Sequence, residues 1–316
     1  MLDALKFVQG GVAKKDFVPS LTHFRIENGT IKGFNGSLGL SSPINIDLEI
    51  SPKATPLIKA IQTCKETVSI NVTPTGRLCI KSGKFKAFID CTPELYPDVE
   101  PTGNIIEITK PLLPAIKKIA PFISEDASRP WARGILFSNQ SAFATNNIVM
   151  IEYYLGYQFP VEINVPHAAI KELLRINEEP IKLQISEKSI TFHFEGNRWL
   201  KSNMCQLRWP NVASILDKPS NQTPVHPELF NILEDLKPFT DESDRIYLSN
   251  NKISTTSLSE QGASFEIDAN IETCCFNRNQ LSLLENVAEK IDFSLAPQPC
   301  LFTGDSLRGA LVGIRI

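Results

Sequence analysis

The chain has 316 residues, 42% hydrophobic and 21% charged, with a formal net charge of −3. That composition excludes a disordered or low-complexity chain and a strongly basic nucleic-acid coat, and the length exceeds most single cores, so two or three domains are expected. No apolar run is long enough to span a bilayer. Met1 opens into an amphipathic segment without a secretory pattern, and the seven cysteines, an odd number with no C-x-x-C pair, argue for reduced thiols inside a cell.

In chain order, Asp3–Gly10 (D-A-L-K-F-V-Q-G) reads as a short helix. Phe24–Phe34 (F-R-I-E-N-G-T-I-K-G-F) reads as two strands joined at Asn28, a residue suited to turns because its amide can bond its own backbone and it tolerates the left-handed region. Pro52–Cys64 predicts a helix, and a second strand pair turns at Gly83. The order then recurs. Leu112–Asp126 and Leu229–Ser243 align without gaps, sharing apolar positions and a Pro-Phe pair at 121–122 and 238–239, with Asp3–Gly10 a weaker match. The hairpin returns at Ile135–Thr145 and Ile246–Thr256, so the turn asparagines Asn28, Asn139 and Asn250 stand 111 residues apart. Further helices are predicted at Pro166–Ile176 and Asn277–Ile291, and further glycine turns at Gly196 and Gly304. Tyr96-Pro97-Asp98-Val99 and Trp209-Pro210-Asn211-Val212 stand 113 residues apart, as Gly83 and Gly196 do.

Several landmarks in one order imply a triplicated unit of helix, strands, helix and strands: an α+β protein with domains at 1–103, 104–216 and 217–316. Their net charges are +2, +2 and −7, so the acidic surplus sits in the last third.

Nothing in the sequence composes an active site. The histidines His23, His167, His193 and His226 form no H-E-x-x-H. Gly10-Gly11 precedes Lys14-Lys15 without a phosphate-loop pattern. Glu178-Glu179 reads as a solvated turn and Cys274-Cys275 as structural thiols. No enzyme, cofactor or metal is expected. The basic residues are more informative. Over Leu112–Ile123 an apolar stripe of Leu112, Ile116, Ile119 and Ile123 opposes Lys110, Lys117 and Lys118. In the next helix Ile170 and Leu174 face inward and Arg175 points away, with Lys171 flanking, and Lys59 opposes Leu57, Ile61 and Cys64.

With these features, the chain resembles the bacterial DNA polymerase β sliding clamps over its whole length. Ser82–Phe88 followed by Glu94-Leu95-Tyr96-Pro97, Arg133–Phe137 with Ala144-Thr145, and the terminal Leu311–Ile316 are similar to that family's phrases. The resemblance implies a head-to-tail homodimer whose six domains ring double-stranded DNA, a cytoplasmic protein of a bacterium or an infected host. Its relatively short length is compatible with a phage-encoded relative. The resemblance also implies that the chain tethers a polymerase as a processivity factor and docks polymerase and clamp loader through a short peptide motif. It would place Lys6, Lys14, Lys15, Lys59, Lys110, Lys117, Lys118, Arg129, Lys171, Arg175, Arg278 and Lys290 toward DNA. It would place Thr145, Asn147, Ile148, Met150, Leu216, Leu311, Val312, Ile314 and Arg315 at the peptide pocket, and Phe88, Leu236 and Phe239 at the dimer interface. The sequence departs from the family at Asn146-Asn147-Ile148-Val149 and at Val312-Gly313-Ile314, both within that pocket, so its partner preference is expected to differ. The rival expectation is a triplicated β-rich scaffold without DNA, which would have no need of basic helical faces.

Overall fold

The computed structural model describes residues 1–15, 18–258, 261–269 and 271–316. The first third of the chain gives α1 (Leu2–Val8), β1 (Arg25–Glu27), β2 (Thr30–Phe34), β3 (Leu38–Pro43), α2 (Ala54–Thr63), β4 (Ser69–Val72), β5 (Leu78–Ser82) and β6 (Phe85–Ile89). The middle third gives β7 (Asn104–Glu107), α3 (Leu113–Ile119), β8 (Gly134–Ser138), β9 (Ser141–Thr145), β10 (Val149–Tyr154), β11 (Ile163–Pro166), α4 (His167–Ile176), β12 (Lys182–Ile185), β13 (Ser189–Phe194) and β14 (Arg198–Asn203). The last gives α5 (Ala213–Leu216), β15 (Thr223–Pro224), α6 (Leu229–Leu236), β16 (Arg245–Ser249), β17 (Lys252–Ser254), β18 (Ser264–Glu266), β19 (Cys274–Asn277), α7 (Arg278–Ser282), β20 (Lys290–Ile291), β21 (Pro299–Gly304) and β22 (Leu307–Val312). Helices and antiparallel sheets alternate through the chain, an α+β fold.

The repeated phrases fold alike. α1, α3 and α6 each run into a 3₁₀ turn, at Gln9–Gly11, Ala120–Phe122 and Lys237–Phe239. The three hairpins have two-residue loops, between Glu27 and Thr30, Ser138 and Ser141, and Ser249 and Lys252. In the first, Asn28 and Gly29 both have positive φ (47° and 67°), the backbone that matches the twist of paired strands. In the second the left-handed residue is Asn139, but in the third it is Asn251 rather than Asn250. The second-half turns differ too. Gly83 and Gly196 have positive φ, whereas Gly304 is a paired strand residue and Ser306 takes the left-handed place. Gly304 serves close approach instead, since a Cβ there would lie 1.9 Å from the Val287 carbonyl oxygen. The helix expected over Asn277–Ile291 ends at Ser282, and its tail becomes turns and β20.

The chain packs as two compact units, residues 1–113 with 168–204, and residues 114–167 with 205–316. Among the described residues, the first unit holds a seven-stranded sheet, β1-β2-β3-β14-β13-β12-β7, and a three-stranded sheet, β4-β5-β6. The second holds an eight-stranded sheet, β11-β8-β9-β10-β22-β21-β20-β15, and a four-stranded sheet, β18-β17-β16-β19. Each long sheet is sewn from successive repeats at one seam. In the first unit β3 pairs with β14, placing Leu40 opposite Leu200; in the second β10 pairs with β22, placing Met150 opposite Ala310. At both seams the third strand of one repeat's first sheet meets the last strand of the next repeat. Backbones are tight at the second: a Cβ on Gly309 would come within 2.4 Å of the Met150 carbonyl oxygen and 2.2 Å of the Phe302 ring.

The inner strands of the long sheets, such as β3, β8 and β13, are buried almost throughout, whereas β2 and β12 bury alternate residues. The stripe of Leu112, Ile116, Ile119 and Ile123 is buried, as are Ile170 and Leu57. Backbone donors at the start of α3 are capped from outside the helix. Glu179, exposed as expected, also accepts the amides of Leu112 (3.0 Å) and Leu113 (3.1 Å) and so caps the helix, while Glu178 pairs with Arg198 at 2.5 Å.

Candidate functional site

The seam of the second unit carries a built surface. Between β9 and β10 the chain turns through Asn146, Asn147 and Ile148. Asn146 Oδ1 accepts the amides of Ile148 (3.1 Å) and Val149 (2.8 Å), and its Nδ2 donates to Gln280 Oε1 at 2.6 Å. The Thr145 hydroxyl donates to the Val149 carbonyl (2.8 Å) and accepts the Asn147 amide (3.0 Å). Asn147, at φ 76°, donates to Ser124 Oγ and accepts from Arg129 Nη1 at 2.9 Å. Polar side chains thus fix this turn, and Ile148 stands exposed at its tip.

Alternation decides which residues share the surface. On one face, Met150 lies opposite Ala310 and Glu152 opposite Arg308, and Val312 continues the row by donating its amide to the Ile148 carbonyl at 2.9 Å. Met150, Ala310, Leu301 and Leu216 form the floor of an apolar cluster, with Phe143, Val212, Ile215 and Leu295 half-buried around it. The short helix α5 packs on β22 beside this floor. Ile148 and Val312 are the exposed apolar members at one end. At the other, Arg308 bridges Glu152 (2.6 Å) and Asp217 (2.8 Å).

Several pocket residues expected from the sequence therefore separate. Ile148 and Val312 are accessible, and Met150 and Leu216 form the floor. Leu311 points to the opposite face and is fully buried, so it is core and cannot line the groove. The Thr145 side chain is also buried, and its part is to hold the turn. Ile314 is half-buried and fastened by its amide to the Cys275 carbonyl at 2.7 Å, and Arg315 is exposed. Sequence reasoning missed Val212, Ile215, Phe143 and Leu295. Only Val212 had a signal, as the last residue of the repeated W-P-N-V phrase.

The basic residues divide likewise. In the first unit Lys6, Lys14, Lys15, Lys59, Lys110 and Lys171 are exposed. α1 packs on α2, and Arg175 of α4 donates to the carbonyls of Lys6 (2.8 Å) and Phe7 (2.7 Å), so Lys6, Lys59 and Lys171 ride on neighbouring helices. A cleft of about 500 Å³ at the head of α2 is lined by Gln9, Lys14, Thr22, Lys53 and Thr55. Arg175 itself is committed to these carbonyls and to Glu172 at 2.6 Å, a structural clamp rather than a free outward cation. In the second unit Lys117, Arg129 and Lys290 are exposed and Lys118 is half-buried. Arg278 overturns its expectation. Its side chain is buried and paired with Asp244 at 2.8 Å, so it cannot meet a ligand.

Of the candidate interface residues, Phe88 on β6 is exposed in the first unit and Phe239 in the second, whereas Leu236 has no exposure and belongs to the core of α6. Among the described residues no group of three His, Cys, Asp or Glu side chains could hold a metal. Cys274 and Cys275 lie on β19, not at a helix head, and both are buried. Burial pushes the Cys274 thiol, like that of Cys300, up to about 12. No helix among the described residues is long and apolar enough to cross a membrane.

No protein-family profile and no curated protein sequence matches this chain. Solved structures do. The DNA polymerase sliding clamp of Bacillus subtilis superposes with a TM-score of 0.84 at 16% identity. The sliding clamp of Pseudomonas aeruginosa, crystallised with griselimycin, gives 0.82 at 18%, and the DNA polymerase β subunit of Streptococcus pyogenes gives 0.81 at 18%. Each comparison covers 100% of this chain and 97% of the other. From its first residue to its last, the chain has the fold of the bacterial DNA polymerase sliding clamps.

Proposed function

We propose that the chain is a DNA sliding clamp, a non-enzymatic processivity factor that tethers a replicative polymerase to duplex DNA. The observation that carries this reading is the full-length likeness to sliding clamps, joined to a seam rule that leaves two strands unmatched. Within one chain the third strand of a repeat's first sheet pairs with the last strand of the next repeat, as β3 does with β14 and β10 with β22. Applied once more, the rule matches β18 with β6 of a second chain. Both edges carry an exposed phenylalanine, Phe265 at 39% and Phe88 at 46%, and open edges with apolar side chains call for a partner. Two chains joined at two such seams make a closed homodimer of six domains, with repeats at 1–103, 104–216 and 217–316.

The lysines on α1, α2, α3 and α4 suit phosphate contacts that position DNA without reading bases and so permit sliding. The groove between Ile148 and Val312 suits a short peptide of a polymerase or loader, with an apolar anchor seated over Met150, Leu216 and Leu301. Where the family phrase has a histidine, the exposed Ile148 stands here, which favours aliphatic or aromatic anchors over acidic ones, while Val149, in place of the arginine, is buried on the other face of the sheet. Topology tests the reading. A clamp loaded on nicked circular DNA should stay bound when the salt is raised and be released once the circle is linearised. Equal loss from circular and linear DNA would refute it.

A further inference from the structure

We propose that the outer edge of β4 is a strand-acceptor site. It takes an extended segment of a partner protein, antiparallel to β4, with an apolar residue opposite Ile70 and an acidic residue opposite Ser69.

The argument is internal to the repeat. The 113-residue spacing of Gly83 and Gly196 sets Ser69, Ile70, Asn71 and Val72 at the places of Lys182, Leu183, Gln184 and Ile185 on β12. On its outer side β12 carries β7, with Glu107 opposite Lys182, Ile106 opposite Leu183 and Ile105 opposite Gln184. The third repeat has the same arrangement, β15 outside β20. In the first repeat, among the described residues, none pairs with the outer edge of β4.

The exposed edge leaves a mark on burial. Ile70 and Val72 lie opposite Ile80 and Leu78, both fully buried, so they belong to the core face of the sheet. Yet Val72 is 42% exposed where its counterpart Ile185 is 8% exposed, and Ile70 is half-buried where Leu183 is buried. Charge marks the other face. Ser69, Lys81 and Lys86 form one row across β4, β5 and β6, with the two lysines directly opposite each other, an unfavourable pair. In the second repeat the matching row starts with Glu107 on the added strand. Because Ser69 is short, a carboxylate opposite it can reach Lys81. Strand addition supplies backbone hydrogen bonds for affinity, and the alternate side chains supply choice. Since β6 lies at the far side of this sheet, the site stays open whether or not β6 pairs with a second chain.

The probe is a labelled octapeptide, T-G-N-I-I-E-I-T, the sequence of residues 102–109. Saturable binding to the intact protein is expected. Replacing the peptide's first isoleucine by proline, or Val72→Lys in the protein, should weaken it at least tenfold with the melting temperature unchanged. Replacing the peptide's glutamate by lysine should weaken it several-fold at low salt. As a check independent of any loss of fold, joining the same octapeptide ahead of Met1 through a flexible linker should block binding of the free peptide and slow hydrogen exchange of the β4 amides. Equal binding of the proline peptide, or by the fused protein, would overturn the proposal. So would a Val72→Lys variant that only dissolves a self-association of the chain, because the edge would then serve a second copy.

Discussion

Phe122 and Phe239 hold the same place in successive repeats, each the phenylalanine of a Pro-Phe pair in the 3₁₀ turn after a helix, yet Phe122 is wholly buried and Phe239 is 60% exposed. The turn holding Phe122 packs on β9 and β10, whereas the matching strands of the third repeat end at the open edge of β18. In the proposed homodimer, Phe239 would be covered by the second chain.

That contrast gives the first expectation. Phe239→Asp and Phe88→Asp should each weaken homodimerisation by about tenfold or more, the ordinary cost of losing an apolar interface anchor. Both sites are exposed, so the monomers should keep the parent's circular dichroism and melting temperature. Sedimentation across a concentration series reads the effect, and an unchanged dimer with both substitutions present would place the interface elsewhere.

DNA affinity should respond to lysines and not to Arg175 in the same way. Changing Lys59, Lys117 and Lys171 to Glu should flatten the log–log salt dependence of binding by a slope of about one for each phosphate that loses its lysine, leaving stability intact. Arg175→Ala should instead destabilise the first unit by about 1.5–3 kcal/mol, because its guanidinium holds the last carbonyls of α1. Urea unfolding separates the two outcomes.

The groove is best probed at its exposed rim. Val312→Asp should weaken binding of a labelled polymerase-tail peptide by about tenfold or more in an intact dimer, and Ile148→Ala by a smaller factor. Met150→Asp is a poorer probe, since it would bury a charge in the floor and cost stability as well. Titration by fluorescence anisotropy, with the melting temperature measured alongside, distinguishes lost docking from lost fold.

Thiol chemistry should divide the cysteines. Cys64, Cys91 and Cys205 are partly accessible, while Cys79, Cys274, Cys275 and Cys300 are buried. With their thiols pushed up to about 12 by burial, Cys274 and Cys300 carry almost no thiolate in mildly alkaline buffer. An aromatic disulfide reagent should therefore label the native protein at no more than the three accessible cysteines, and all seven only in denaturant. Fast labelling of Cys274 in the native state would contradict the packing of β19.

Order and spacing carry most of the fold into the sequence. Hairpin loops recurring every 111 residues and the Pro-Phe turns are local features, written in residues that are neighbours along the chain. Legibility fails where tertiary contact decides. Gly304 reads as a turn glycine because the sequence does not show that Val287 leans against it. Arg278 reads as an outward cation because Asp244 lies 34 residues away. In the groove, Val312 and Met150 are readable from the strand end, but only strand pairing fixes which face Leu311 takes, and it turns Leu311 into the core. Phe143, Val212, Ile215 and Leu295 are scattered along the chain, and no local pattern unites them.

Because each long sheet is sewn across a repeat boundary, the period written in the sequence and the body that packs are out of phase. Residues 168–204 fall within the middle period of the sequence, yet they pack with the first. Excising the middle copy at its sequence boundaries would tear both seams, leaving strand β14 without β3 and β10 without β22. The repeated segment read from the sequence is therefore not the body that packs, and a cut at its boundaries separates strands that pair.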